Sequence, residues 1–363
     1  MSNIVVSGYY GFANAGDEAM LTAIIKALQS KDSSVNITVI SGNPEATKKL
    51  HKVNSIHRFS ALDIMGAMSK SDLVISGGGS LLQDVTSKRS LLYYLAILTL
   101  ATVMGRKVML FAQGIGPIKS NFMRRLTKYV CSSVAKITVR DNDSLYELRR
   151  IGVPERKVEL TADAVMTMPK ESKDFGRELL SRYYVPDNKM LIAVAVRKWR
   201  DDDSYLLEIA KAADKLIDTR NAHIVLLPMQ YPLDVEPCRR VQQLMVNKLE
   251  STVLAVDCKT EEFLSLIGNF DLLVGMRLHA LIFAAVMEVP FIAISYDPKI
   301  DGFVKDVNGI IAGRVQNLQA DDIINSCRKA LFHKDANKKR MTELREKAML
   351  NAERAFELLH KVK

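Results

Sequence analysis

Cysteine is scarce in this chain. Four stand in 363 residues, at Cys131, Cys238, Cys258 and Cys327, never as C-x-x-C, which excludes the usual zinc-ribbon spacing and a secreted disulfide framework. A reducing compartment is expected. No charged segment followed by an apolar one precedes the strand-like Ile4-Val5-Val6, so a cytoplasmic location is expected. The uncharged stretch 91–104 spans fourteen residues, short of the roughly twenty that cross a bilayer. It reads as a buried helix or, alternatively, an interfacial one touching lipid. Also missing are G-x-G-x-x-G after the first strand and the Lys-Ser/Thr end of a phosphate loop, because Asp17 and Glu18 follow Gly11 to Gly16 instead. A dinucleotide or a triphosphate is therefore not expected there. Internal repeats and low-complexity tracts are absent, and no metal is implied by ligand spacing.

What is present describes an ordinary globular protein, 48% hydrophobic and 25% charged, and too long for one hydrophobic core. The formal charge is +10. Arg124, Arg125 and Lys128 form one basic cluster, and Lys329, His333, Lys334, Lys338, Lys339 and Arg340 another. They suit an acidic partner, be it a phosphate ligand, a nucleic acid or an anionic lipid surface, or they are solvated helix faces.

Short apolar runs at 4–7, 37–40, 73–76, 108–111 and 137–139 alternate with helix-like segments. A second series follows at 191–196, 224–227, 253–256, 272–274 and 291–295. Such alternation predicts right-handed crossovers and parallel sheets. The expected fold class is α/β, with two doubly wound Rossmann-like domains facing across a cleft: an N-terminal domain over 1–170, a linker over 171–187, a C-terminal domain over 188–330 and a basic helical tail over 331–363.

Several turns after these strands carry chemistry. Arg277 and His279 bracket Leu278 on a strand-to-helix turn, where an arginine can grip a carboxylate or phosphate beside a group that moves a proton. The blander reading is a loop cap and a core filler. Arg197 and Lys299 also follow strands of the second series, giving that edge three cations and a histidine. In the first half, Gly77-Gly78-Gly79 form either a nest of N–H groups for an anion or sugar, or a tight turn. Asn14 and Asp17 suit sugar hydroxyls, with helix capping the alternative for Asp17.

The patches G-Y-Y-G-F-A-N-A-G-D-E-A at 8–19, G-G-G-S-L-L-Q-D at 77–84, A-Q-G-I-G-P at 112–117, V-R-D at 139–141 and G-M-R-L-H-A at 275–280 resemble, in order and spacing, the polysaccharide pyruvyl transferase family. Its members in bacterial cell-surface anchoring are the nearest likeness. The resemblance implies a fold like that of GT-B glycosyltransferases, phosphoenolpyruvate as co-substrate with no cofactor, and a catalytic histidine and donor contacts in the R-L-H motif. It also implies, as acceptor, the 4- and 6-hydroxyls of N-acetylmannosamine in a lipid-diphosphate-linked disaccharide precursor of a secondary cell wall polymer. Nucleic acid is not expected as a partner, whereas the basic clusters and the stretch 91–104 suggest that the first domain makes peripheral contact with the inner face of the membrane. Joined with the cations, acid and base that such a transfer needs, the resemblance makes His279, Arg277 and Lys299 the expected catalytic residues. Arg197, Arg277, Leu278, His279 and Lys299 hold the donor, and Asn14, Asp17, Gly78, Gly79 and Gln83 hold the acceptor. The rival readings are a nucleotide-sugar glycosyltransferase or sugar epimerase of the same architecture and a non-enzymatic sugar-binding module.

Overall fold

The structure is a computed structural model that describes residues 2–85, 87–200, 202–332 and 338–360. His333 and Lys334 of the second basic cluster lie outside them. The described residues form two compact units. One comprises Met1–Phe12, Asp17–Met168 and Glu343–Lys363, the other Ala13–Gly16 and Pro169–Thr342.

Strands and helices alternate through unit 1 as β1 (Asn3–Ser7), α1 (Ala15–Lys31), β2 (Asn36–Ser41), α2 (Pro44–His51), β3 (Asn54–His57), α3 (Ala61–Ser69), β4 (Leu73–Ser76), β5 (Gly79–Leu82), α4 (Lys88–Val103), β6 (Lys107–Ile115), α5 (Asn121–Ser133), β7 (Lys136–Val139), α6 (Asn142–Ile151) and β8 (Val158–Leu160). The strands lie in the order β3-β2-β1-β4-β6-β7-β8, with β5 beside β6, and all pair in parallel. Central strands such as β4, with Leu73, Val74 and Ile75 before Ser76, are mostly apolar and fully buried, as suits a parallel strand covered on both faces. The edge strands β3 and β8, polar or three residues long, lack that signal and were not expected.

Unit 2 repeats the scheme with α7 (Asp174–Arg182), β9 (Met190–Ala195), α8 (Ser204–Arg220), β10 (Ala222–Leu226), α9 (Val235–Leu244), β11 (Ser251–Val253), α10 (Thr260–Ile267), β12 (Leu272–Gly275), α11 (Leu278–Val286), β13 (Phe291–Ser295), α12 (Pro298–Asp306), β14 (Ile310–Arg314) and α13 (Ala320–Phe332), and α14 (Lys338–His360) is the last described element. Its parallel order is β11-β10-β9-β12-β13-β14.

Two boundaries differ from expectation. The stretch 171–187 holds α7, which packs on α10 inside unit 2, because Leu179 and Leu180 bury a small apolar face. Of the tail 331–363, the part from Glu343 belongs to unit 1. There the small residues Ala348, Ala352 and Ala355 of α14 are buried, and Asn351 accepts from the Thr161 hydroxyl at 2.8 Å.

An ion pair holds α14 in place. Arg354 donates to both oxygens of Glu159 at 2.8 Å, and Lys136 lies 2.8 Å from the same carboxylate. Hydrogen bonding from Arg354, and then Lys136, lowers the Glu159 pKa to about 2. A depressed carboxylate stabilises the folded state above its ordinary pKa, and this stability is lost as pH falls toward 2. With about a quarter of each group exposed, we expect roughly 1–2 kcal/mol. Glu159→Gln should therefore unfold at lower urea at pH 7 and show less added destabilisation on acidification than the parent. Identical acid sensitivity in the two proteins would refute this role.

Candidate functional site

In unit 2 the expected cations all follow the carboxyl ends of neighbouring parallel strands. Arg197 follows β9, Arg277 and His279 follow β12, and Lys299 follows β13. β9 and β12 lie side by side where the strand order reverses, the point at which open α/β sheets bind ligands.

Each side chain is held differently. The Arg197 guanidinium stacks on the Tyr296 ring, 4.9 Å from its centroid, and donates to the Tyr296 hydroxyl at 2.8 Å. The buried Tyr205 hydroxyl donates to the Arg197 carbonyl at 2.6 Å; burial, foremost, pushes its pKa to about 12. Arg197 forms no ion pair with a carboxylate among the described residues. Lys299, in the first turn of α12, reaches back to the capping residue Asp297, Nζ to Oδ2 at 3.4 Å.

Arg277 differs from its expected state. Its Nε donates to Asp234 Oδ2 at 2.9 Å, its Nη2 bonds to Asp234 Oδ1 and to Gln230 Oε1 at 3.1 Å. The two-pronged face of the guanidinium is thus occupied by a buried carboxylate rather than left for a substrate anion, and only the Nη1 side makes no ion pair among the described residues. Asp234 also accepts from the Gln230 N–H at 3.0 Å. Leu278 is buried in the core.

His279 is seated by a glycine far away in the chain. A Cβ on Gly16 would lie 2.6 Å from Cγ and 2.8 Å from Cε1 of the imidazole, so only glycine leaves room for the ring there. The segment Ala13–Gly16 belongs to unit 2. The Ala15 N–H donates to the Met229 carbonyl at 3.3 Å, and Asn14 forms a β-bridge with Gln230. Asn14 was expected on the acceptor side. Its carboxamide oxygen instead accepts from the Gly16 N–H at 3.0 Å, closing an Asx turn at the start of α1. One connected group results: His279 against Gly16, Asn14 against Gln230, and Gln230 and Asp234 against Arg277.

In unit 1 the triple glycine is accounted for by packing. A Cβ on Gly77 would strike the Tyr10 hydroxyl, one on Gly78 the Met20 side chain, and Gly79 has φ +97°. Gln113, fully buried, donates to the Gly79 carbonyl at 2.6 Å and accepts from Ser76 at 3.0 Å. Asp17 lies beside Gly79, its Oδ1 3.4 Å from where a Cβ would stand. Gln83 takes the Val85 N–H on its side-chain oxygen at 2.8 Å. Arg140 of the V-R-D motif pairs with Asp163 at 2.8 Å and reaches Ser80 at 3.1 Å. Burial alone would lower its pKa, but the charges of Asp163 and Asp141 outweigh this and raise it.

Sequence reasoning missed Asp234, Tyr296 and the seat at Gly16. Asp234 precedes a helix and reads as a cap, and a glycine shows that a side chain is missing without showing what occupies the space. All four cysteines are buried. Burial raises their thiol pKa values, to about 12 for Cys131, Cys258 and Cys327, so none is a ready thiolate nucleophile. Among the described residues no cluster of three or more His, Cys, Asp or Glu could hold a metal ion.

A family model described as polysaccharide pyruvyl transferase matches residues 14–298. The chain is 22% identical over 381 residues to the amylovoran biosynthesis protein AmsJ of Erwinia amylovora, covering 88% of this chain and 90% of that one. Among solved structures it resembles the UDP-GlcNAc 2-epimerase of Methanocaldococcus jannaschii, with TM-score 0.70, 15% identity and 99% of both chains covered. It also resembles the UDP-GlcNAc 2-epimerase of Neisseria meningitidis, with TM-score 0.66, 14% identity, and 98% of this chain and 100% of that one covered. At such identities the two structures show a shared GT-B-like fold and nothing of chemistry.

Proposed function

Because the chain belongs to the polysaccharide pyruvyl transferase family, we propose that it moves the enolpyruvyl group of phosphoenolpyruvate onto two hydroxyls of a sugar, forming a pyruvate ketal and releasing phosphate. The observation that carries this reading is the row of Arg197, Arg277, His279 and Lys299 after the carboxyl ends of β9, β12 and β13. A donor with one carboxylate and one phosphate needs cations at such an edge, and its enol carbon needs a proton.

A proton adds to C3 of the donor, one sugar oxygen bonds to C2, the C2–O bond to phosphate breaks, and the second sugar oxygen takes its place. Of the two protons lost by the sugar hydroxyls, one equals that gained at C3 and the other leaves with phosphate. His279 is the proton carrier. Arg197, which has no carboxylate partner among the described residues, and Lys299 hold the donor's anionic groups. Arg277, oriented by Asp234, offers its Nη1 side. Asp17, beside Gly79, is the candidate for an acceptor hydroxyl. The proposed acceptor is an amino sugar in a lipid-diphosphate-linked disaccharide, the class implied by the likeness to surface-anchoring enzymes.

Ligand-dependent melting separates this proposal from its rivals. Phosphoenolpyruvate at about a hundred times its Kd should stabilise the protein by about 2.7 kcal/mol, and Arg197→Ala should abolish most of the shift. Mass spectrometry of a saccharide acceptor should then show one ketal-linked pyruvate. Stabilisation by a nucleoside diphosphate sugar but not by phosphoenolpyruvate would defeat the proposal in favour of a glycosyltransferase or epimerase. Acceptor binding without turnover would favour a sugar-binding module.

A further inference from the structure

The outer surface of α3, α4 and α5 in unit 1 is unusual in both polarity and charge. These helices share one hydrophobic core, to which α3 contributes Ile64 and Met68, α4 Leu91, Leu95 and Leu98, and α5 Met123 and Val130. Their connections place them on the same side of the sheet, as right-handed crossovers require. A helix with one buried face ordinarily turns charge to the water. Here α4 carries no charged residue after Arg89, and its outward positions include Leu92, Ala96 and Val103, the last 80% exposed. On α3, Leu62 is 80% exposed and Met65 is exposed as well. Phe59, in the turn before α3 and 73% exposed, meets Tyr93 of α4 edge-on with ring centroids 6.2 Å apart, which brings the chain entering α3 against the first half of α4. On α5, Phe122 and Tyr129 are exposed.

The charges interspersed with these side chains are almost all of one sign. The three helices contain Lys88, Arg89, Arg124, Arg125 and Lys128 against one carboxylate, Asp63, which is hydrogen-bonded to Ser60. Arg58, just before α3, stacks against Phe12, Phe59 and Tyr93 at 4.6 to 5.4 Å and forms no ion pair with a carboxylate among the described residues. By contrast α6, also in unit 1, mixes both signs, with Asp143 and Glu147 against Arg149 and Arg150.

Single exposed apolar residues are common on soluble proteins, but three neighbouring helices that expose several of them beside cations and almost no acids call for a partner. We propose that this face docks on an anionic phospholipid surface, with Phe59, Leu62, Met65, Leu92 and Val103 entering the headgroup layer and the arginines and lysines meeting lipid phosphates. No helix among the described residues is long and apolar enough to cross a membrane, so the contact is peripheral. A protein partner fits less well, because the centre of such an interface is depleted of charge. The inference rests on the surface alone and not on the pyruvyl-transfer reading.

Co-sedimentation of the full chain with vesicles tests it without any turnover. Binding at low salt to phosphatidylcholine vesicles containing phosphatidylglycerol should exceed binding to phosphatidylcholine alone by about tenfold or more and weaken as salt rises. Leu62→Glu combined with Val103→Glu should lose about tenfold of that binding, and so should Arg89→Glu combined with Arg125→Glu, with melting temperature unchanged. The second pair alters exposed charge only and remains informative if the first folds poorly. Equal binding to neutral and anionic vesicles, or undiminished binding by the Arg89/Arg125 variant, would overturn the proposal. So would a dimer in solution that Leu62→Glu disperses, since the patch would then be a contact between copies of this chain.

Discussion

Phosphate release from phosphoenolpyruvate, measured with saturating saccharide acceptor, should fall about 10²–10⁴-fold in His279→Ala, the range that separates a positioned proton carrier from its absence. The melting temperature should change little, because the imidazole is only partly buried. Gly16→Ala should approach the same loss although residue 16 carries no reactive group. An added Cβ would overlap the imidazole, and a displacement of about 1 Å at a reacting group costs on the order of 10²-fold. Combining the two substitutions separates this cause from general damage. If Gly16 acts by seating His279, Gly16→Ala should add little in the His279→Ala background. Equal losses from Gly16→Ala in both backgrounds would dismiss the seating role, and full activity of His279→Ala would remove the histidine from the reaction.

Loss of Asp234 should bring the largest fall in stability. The Asp234 side chain is 2% exposed and accepts from Arg277 Nε and Nη2 and from the Gln230 N–H. Asp234→Ala leaves the Arg277 charge without its counter-ion and one backbone donor without an acceptor, a change that costs about 3–5 kcal/mol for a buried pair. Removing both charges, in Asp234→Ala with Arg277→Met, should restore much of that stability, because the uncompensated guanidinium is then gone. Urea unfolding of the four proteins gives the coupling directly. Strictly additive losses would show that the pair does not act as a unit. Activity should stay low in the rescued double variant, since Arg277 is also the proposed donor contact.

The central strands were legible because burial on both faces demands a continuous apolar run, and 73–76, 137–139 and 291–295 coincide with β4, β7 and β13. The expected 253–256 overlaps β11 only at Val253, and β3, β5, β8 and β14 were missed. Sheet edges tolerate exposed and polar positions, such as those of Asn54 and His57, and so leave little local pattern. The positions of the candidate residues were legible too, since Arg197, Arg277, His279 and Lys299 all follow strand ends. Their electrostatic condition was not. Arg277 looked like an open clamp and is bound by Asp234, 43 residues earlier.

Glycine-rich turns show the same division. Gly77 and Gly78 marked a place where no Cβ fits, yet the occupants are Tyr10 and Met20, side chains of the core. A residue's own chemistry, its strand-length apolar neighbours and the order of motifs along the chain are local properties, and from them alone came the α/β architecture, the family and the placement of Arg197, Arg277, His279 and Lys299 after strand ends. Which carboxylate neutralises Arg277, which glycine makes room for His279, and which apolar side chains remain at the surface of α3 and α4 depend on crossovers that bring distant segments within a few ångströms. Those pairings arise from sheet order and close packing, and no local pattern encodes them.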